Sequence, residues 1–106
     1  MQQITPRELD LLLRRQGEAP LLLDVREPWE FGICHIKDSR LIPMRQIPTA
    51  LAELEPERPV VVICHHGFRS EQVALYLEHQ GFRQVYNLRG GVAEWAHEVD
   101  PSMPTY

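Results

Sequence analysis

The sequence predicts a three-layer α/β/α fold, in which a mainly parallel central sheet of about five strands is covered by helices on both faces. Three observations predict it. Short runs of leucine and β-branched residues alternate along the chain with segments of helical periodicity. The runs Leu21 to Val25 and Val60 to Ile63 lack the in-out alternation of a half-exposed strand, so both read as strands buried on two faces. A length of 106 residues, 43% of them hydrophobic and 25% charged, suits a single domain over residues 1–106 with one core.

The elements follow in order. Thr5-Pro6-Arg7-Glu8 opens a helix, because Thr5 can cap it, Pro6 suits its first position and Glu8 completes a capping box. Leu9, Leu12 and Leu13 give its apolar stripe to about Gln16, and Gly17 ends it. Leu21 to Val25 is the first strand, and Leu41-Ile42, closed by Pro43, is a further strand candidate. Pro48 to Leu54 reads as a short helix bounded by Pro56 and Pro59. Val60-Val61-Val62-Ile63 is an unbroken β-branched run that favours a central strand. Ser70 to Gln80 carries Val73, Ala74 and Leu77 on one helical face and stops at Gly81. Val85 to Leu88 is another strand, and Gly90-Gly91 turns into a last helix bearing Val92, Trp95 and Ala96. Trp29, Phe31, Phe82 and Trp95 are read as core residues. The tail from Asp100 to Tyr106 is expected to be irregular and says little about function.

Charge and composition exclude several classes of function. The net charge is −4 and no Lys/Arg stripe is present to neutralise phosphates, which argues against nucleic acid as a partner. No apolar run is long enough to cross a bilayer, and the first residues lack a basic stretch followed by an apolar one. The expectation is therefore a cytoplasmic protein without a membrane partner. In a reducing compartment Cys34 and Cys64 are better read as free thiols than as a disulfide. Cys34-His35 and Cys64-His65-His66 hold residue types that zinc favours, but adjacent side chains do not easily converge on one tetrahedral ion. No metal and no cofactor is expected, and His35 is read as a packed histidine bonded to backbone.

The chemistry concentrates at Cys64. Ligands of open parallel sheets bind beyond the carboxyl ends of the strands, and Cys64 ends the central strand and begins a loop into a helix. Such a loop aims backbone N–H groups and the positive end of the helix at an anion within it. Gly67 permits a tight turn, and Arg69 is expected to place a fixed positive charge at the rim. Surroundings of this kind favour a thiolate nucleophile. Asp24, Arg26 and Glu30 are read mainly as groups that satisfy loop backbone or each other, with Asp24 or Arg26 bracing the Cys64 loop from the neighbouring strand end.

Cys64-His65-His66-Gly67-Phe68-Arg69-Ser70 resembles the active-site loop of the rhodanese family, and Asp24 to Phe31 followed by His35-Ile36 resembles its early signature segment. The likeness continues through Gly81-Phe82 and Val85 to Gly91, so it covers nearly the whole chain. It implies a sulfurtransferase in which Cys64 carries a sulfane sulfur as a persulfide, with His65, His66, Gly67, Phe68, Arg69 and Ser70 binding substrate and Asp24 and Arg26 in support. The donor would be thiosulfate or a persulfide and the acceptor a thiol or cyanide, with a protein donor or acceptor as a further partner. The alternative is a sulfur-carrier or regulatory binding module with little turnover of its own, although a retained Cys64 argues against an inert one. Phosphatase or arsenate chemistry fits less well, since those relatives use Cys-x5-Arg and this chain has Cys-x4-Arg. Cys34 stands where the family commonly has glycine, and Lys37-Asp38-Ser39 where it has Pro-Gly-Ala, so an altered local loop is expected. Cys34 is read as a small residue that fills this loop rather than as a second redox thiol.

Overall fold

Strand β4 (Val60–Ile63) is buried along its whole length, as its β-branched run requires, and the rest of the molecule is arranged about it. A computed structural model describes residues 1–106. In chain order the elements are β1 (Gln2–Ile4), α1 (Pro6–Arg14), β2 (Leu21–Asp24), α2 (Pro28–Ile33), β3 (Arg40–Leu41), α3 (Ile47–Ala50), β4, α4 (Phe68–His79), β5 (Val85–Leu88) and α5 (Gly91–Glu98). The five strands form one parallel sheet in the order β1-β5-β4-β2-β3. Leu21 pairs with Val60 and Asp24 with Ile63, so β2 and β4 end side by side.

Because side chains alternate along a strand, the sheet sorts its residues into two cores. Leu23, Val60, Val62 and Val85 face Ile47, Val73, Ala74 and Leu77 of α3 and α4. Leu22, Val61, Ile63 and Leu88 face Leu9 of α1 and Val92, Trp95 and Ala96 of α5. Each buried valine, leucine or isoleucine among them contributes about 1.5–3 kcal/mol by leaving water. The three-layer expectation holds for that reason. No helix is long and apolar enough to cross a membrane.

The capping box of α1 forms as the sequence implies: the Glu8 N–H donates to Thr5 Oγ1 at 3.2 Å, and the Thr5 N–H to Glu8 Oε1 at 2.8 Å. The helix stops at Arg14, short of Gln16, because Arg15 is already extended. Strand β1 escapes the pattern, since two of its three residues are exposed glutamines, and backbone pairing with Tyr86, Asn87 and Leu88 together with buried Ile4 holds it in the sheet. Helix α2 is likewise too short for periodicity to find. Its Pro28 start and a Glu27–Glu30 capping box are the signals that remain. The third strand is Arg40–Leu41, one residue before the expected pair, and the helix expected over 48–54 is α-helical only at Ile47–Ala50 and continues as a tighter turn through Leu51–Glu53.

Two aromatic assignments are corrected. Trp95 and Phe82 are buried, but Trp29 is 64% exposed on α2 and Phe31 is only half-buried, its ring stacked on His35. His35 is exposed, but its ring packs on Phe31 and its Nδ1 donates to the Phe31 carbonyl at 2.9 Å, the backbone bond expected of it. The altered loop keeps a tight turn: Asp38 takes a left-handed φ of 68°, while the Ser39 hydroxyl and N–H both reach the Ile36 carbonyl.

Candidate functional site

The turn between β4 and α4 is built almost entirely from its own residues. Cys64 leaves the sheet with 1% of its surface exposed. Gly67 then adopts φ 99°, open to glycine and strained for other residues, and α4 begins at Phe68. This brings the Gly67 N–H to 3.1 Å and the Ser70 N–H to 3.3 Å from Cys64 Sγ. Two donors of a helix N-terminus thus point at one sulfur.

Ser70 Oγ lies 3.2 Å from the same sulfur, and its single hydrogen can be followed. The Gly67 carbonyl can only accept, so Asn87 turns Nδ2 towards it at 3.1 Å and presents Oδ1 to Ser70. The Ser70 hydroxyl donates to that Oδ1, which leaves an oxygen lone pair facing the Cys64 thiol. Asn87 Nδ2 also donates to Gln3 Oε1 at 2.9 Å, which ties the cradle to β1. Sequence reading missed Asn87. Its signal is a polar residue in the otherwise apolar end of a strand beside β4.

Gly91 closes the cradle from behind. The Val92 and Ala93 N–H groups donate to the Cys64 and His65 carbonyls at 2.9 and 3.1 Å. Contact is so close that a Cβ on Gly91 would lie 2.3 Å from the Cys64 carbonyl oxygen, at a φ of 60°. The Gly90-Gly91 pair, read only as a turn, therefore sets where the loop sits.

Arg69 behaves differently from the expectation. It is not a free cation at the rim: its Nη1 and Nη2 donate to Glu30 Oε2 and Oε1, each at 2.8 Å. Glu30 is buried, and it also accepts from the Glu27 N–H at 2.8 Å and from the Tyr106 hydroxyl at 2.9 Å. The two Arg69 bonds lower the Glu30 carboxyl to about 2, against the opposing effect of burial. Arg69 is held charged in return, chiefly by its bonds to Glu30.

The Arg26 and Asp24 side chains make no hydrogen bond to the Cys64 loop, so any brace they supply is indirect. Arg26 is fully buried and pairs with Asp24 at 2.7–3.1 Å, donates to the Cys34 carbonyl at 2.7 Å and reaches the Tyr106 oxygen at 2.8 Å. These bonds anchor the end of α2, and α2 carries Glu30, which holds Arg69. The brace is thus indirect.

The tail is irregular, as expected, and it brings Tyr106 to the site. Burial pushes its phenol up to about 12, so it stays a donor to Glu30, and its ring stacks on His65 at 4.0 Å between centroids. Burial, with His66 beside it, lowers His65 and favours a neutral ring there. His66 and Phe68 stand on the outer rim, Phe68 with 79% of its surface exposed. Cys34 is a free thiol packed with Ile36, Leu88 and Val92, in the core layer opposite the one that holds Cys64. No group of three or more His, Cys, Asp or Glu side chains converges on a common point.

This arrangement has close counterparts. A profile of the rhodanese-like domain family matches residues 5–98. A sulfurtransferase of Allochromatium vinosum is 43% identical over 79% of this chain and 78% of its own length. Thiosulfate sulfurtransferase GlpE of Stutzerimonas stutzeri is 38% identical over 87% of this chain and 83% of its own. The Arabidopsis thaliana rhodanese-like/PpiC domain-containing protein 12 is 44% identical over 80% of this chain, which spans only 30% of that relative's length. The crystal structure of a rhodanese-like domain protein from Staphylococcus aureus superimposes with a TM-score of 0.85 at 30% identity, over all of this chain and 99% of that one. With the family profile over residues 5–98 and the whole fold matched at a TM-score of 0.85, the chain belongs to the rhodanese-like domain family.

Proposed function

We propose that this protein is a cytoplasmic sulfurtransferase that takes a sulfane sulfur onto Cys64 as a persulfide and passes it to a thiophilic acceptor. The observation that carries the reading is the Cys64 sulfur at the carboxyl end of β4, facing the Gly67 and Ser70 N–H groups within one tight loop. The thiolate attacks the outer sulfur of thiosulfate or a persulfide, the bond within the donor breaks, and sulfite or a thiolate leaves. The backbone donors then face the sulfur anion that results, as an oxyanion hole faces an alkoxide. When the thiolate forms, the Ser70 hydroxyl can turn from Asn87 to the sulfur and add a third donor. His65, His66, Phe68 and Arg69 shape the mouth, while Asp24 and Arg26 support it through α2. A thiol, cyanide or a protein thiol removes the sulfur and restores Cys64.

The test is intact mass after treatment with thiosulfate or with 2-mercaptoethanol persulfide. One added sulfur, released by cyanide and absent in Cys64→Ser, is expected. Cys64→Ser should unfold within about 1–2 kcal/mol of wild type, as a nearly isosteric change. An accessible, reduced Cys64 that gains no sulfur from either donor refutes the reading.

A further inference from the structure

The positive charges around Cys64 are already engaged. Arg69, the one arginine of the loop, makes two parallel bonds to the buried carboxylate of Glu30, and Arg26 is enclosed against Asp24. Tyr106 donates to Glu30 as well, and so helps to hold that carboxylate in place on the Arg69 fork. Arg89 is exposed, but it lines a shallow groove with His66, Gly67, Phe68 and Gly90 on the outer flank of the loop, a groove to which Cys64 contributes nothing. The His65 ring is covered by Tyr106. What Cys64 itself meets is two backbone N–H groups and a hydroxyl.

Donors differ in the charge they bring to that cradle. When the thiolate attacks thiosulfate, a dianion joins an anion: a bond forms from Cys64 Sγ to the outer sulfur, the donor S–S bond breaks, and sulfite leaves with its electron pair and two negative charges. When it attacks R–S–SH, Cys64–S–SH forms with the proton on the transferred sulfur, and R–S⁻ leaves with a single charge. The first reaction needs a free cation near the sulfur far more than the second.

We propose that Glu30 is a specificity-determining residue, which by holding Arg69 in a two-bond pair keeps the loop's cation from an incoming anion and turns the site towards thiol persulfides and away from the thiosulfate dianion. This rests on the sulfur-transfer reading above. Arg69 directly precedes Ser70, whose N–H meets Cys64 Sγ at 3.3 Å, and its side chain is partly open to solvent, so releasing it from Glu30 frees a cation on the loop that holds the reacting sulfur. Gln at position 30 retains the shape and the hydrogen-bonding oxygen while removing the charge that neutralises Arg69.

The experiment measures second-order constants for loading Cys64 by quenched intact mass, with thiosulfate and with 2-mercaptoethanol persulfide, whose organic part is uncharged. Wild type, Glu30→Gln and the double variant Glu30→Gln/Arg69→Met are compared. In Glu30→Gln the thiosulfate constant should rise about tenfold. The persulfide constant should change by less than about threefold, because that donor gains little from a free cation. The double variant, again without a net charge at the pair, should return to the wild-type ratio. Wild type supplies a readout that needs no variant: from about 20 to about 200 mM salt its thiosulfate constant should stay level or rise, since screening relieves anion repulsion, whereas that of Glu30→Gln should fall. An unchanged donor ratio in Glu30→Gln, or a wild-type thiosulfate constant that falls steeply with salt, overturns the proposal. Absence of loading from both donors in wild type is a different result, and overturns the sulfur-transfer reading itself.

Discussion

The Cys64 cradle and the charged brace beside it are built on opposite plans. Within the cradle, the groups that meet the sulfur come from Gly67 and Ser70, three and six residues along the chain. In the brace, Arg69 meets Glu30 across 39 residues, Tyr106 meets Glu30 across 76 and Arg26 meets Tyr106 across 80. A local turn is specified by its own backbone preferences, whereas a distant network exists only once the sheet has brought its parts together. The two therefore fail in different ways when altered.

The sharpest break is Arg26→Leu. It leaves the Asp24 carboxylate buried without its partner and frees the Cys34 carbonyl, and removal of one member of such a pair costs about 3–5 kcal/mol. Urea unfolding should show that loss. The cradle donors on Cys64 do not involve Arg26, so whatever fraction stays folded should still take up sulfur. Loss of uptake in fully folded protein would show that cradle and brace act as one unit.

Gly91→Ala tests the cradle from the other side. The added methyl would overlap the Cys64 and His65 carbonyls at a left-handed φ, and overpacking with strain costs about 2–4 kcal/mol. Unlike Arg26→Leu, it should slow sulfur loading in the folded fraction, because it moves the cysteine loop itself. A folded Gly91→Ala protein that loads at the wild-type rate would remove the helix α5 contact from the positioning of Cys64.

The brace also has a pH signature of smaller size. The Glu30 carboxyl is lowered from 4.5 to about 2 in the folded protein, so its contribution is fully present above about pH 4.5 and is lost as pH falls towards 2. Allowing for solvent at half-open Arg69, that contribution is about 1–2 kcal/mol. Urea titrations of wild type and Glu30→Gln at several pH values should differ most near neutrality and converge within this acid window. A constant difference across the window would place the stabilisation elsewhere.

The smallest effect lies outside both regions. Asp38 holds a φ of 68°, which glycine adopts without strain, so Asp38→Gly should stabilise by up to about 1 kcal/mol, partly offset by the freer unfolded chain. Thermal unfolding measures it, and sulfur loading should be unaffected. A net loss of stability would mean that the Asp38 side chain does something in the turn besides tolerate it.

The sequence by itself determined the parts whose cause is local. The β-branched run of β4, the capping box at Thr5, and the order of cysteine, glycine and helix start at Cys64 are each set by neighbours in the chain, so the fold class and the place of Cys64 at the end of the central strand were legible there. The tertiary structure alone decided the rest: that the glutamines of β1 join the sheet, that Asn87 directs the Ser70 hydroxyl, that Tyr106 returns from the tail to His65, and that Arg69 is tied to Glu30. Each depends on partners tens of residues away, and a charge or hydroxyl reveals its role only through the partner it finds. The type of Arg69 can be read from the chain, but whether its charge remains free depends on where folding places the carboxylate of Glu30.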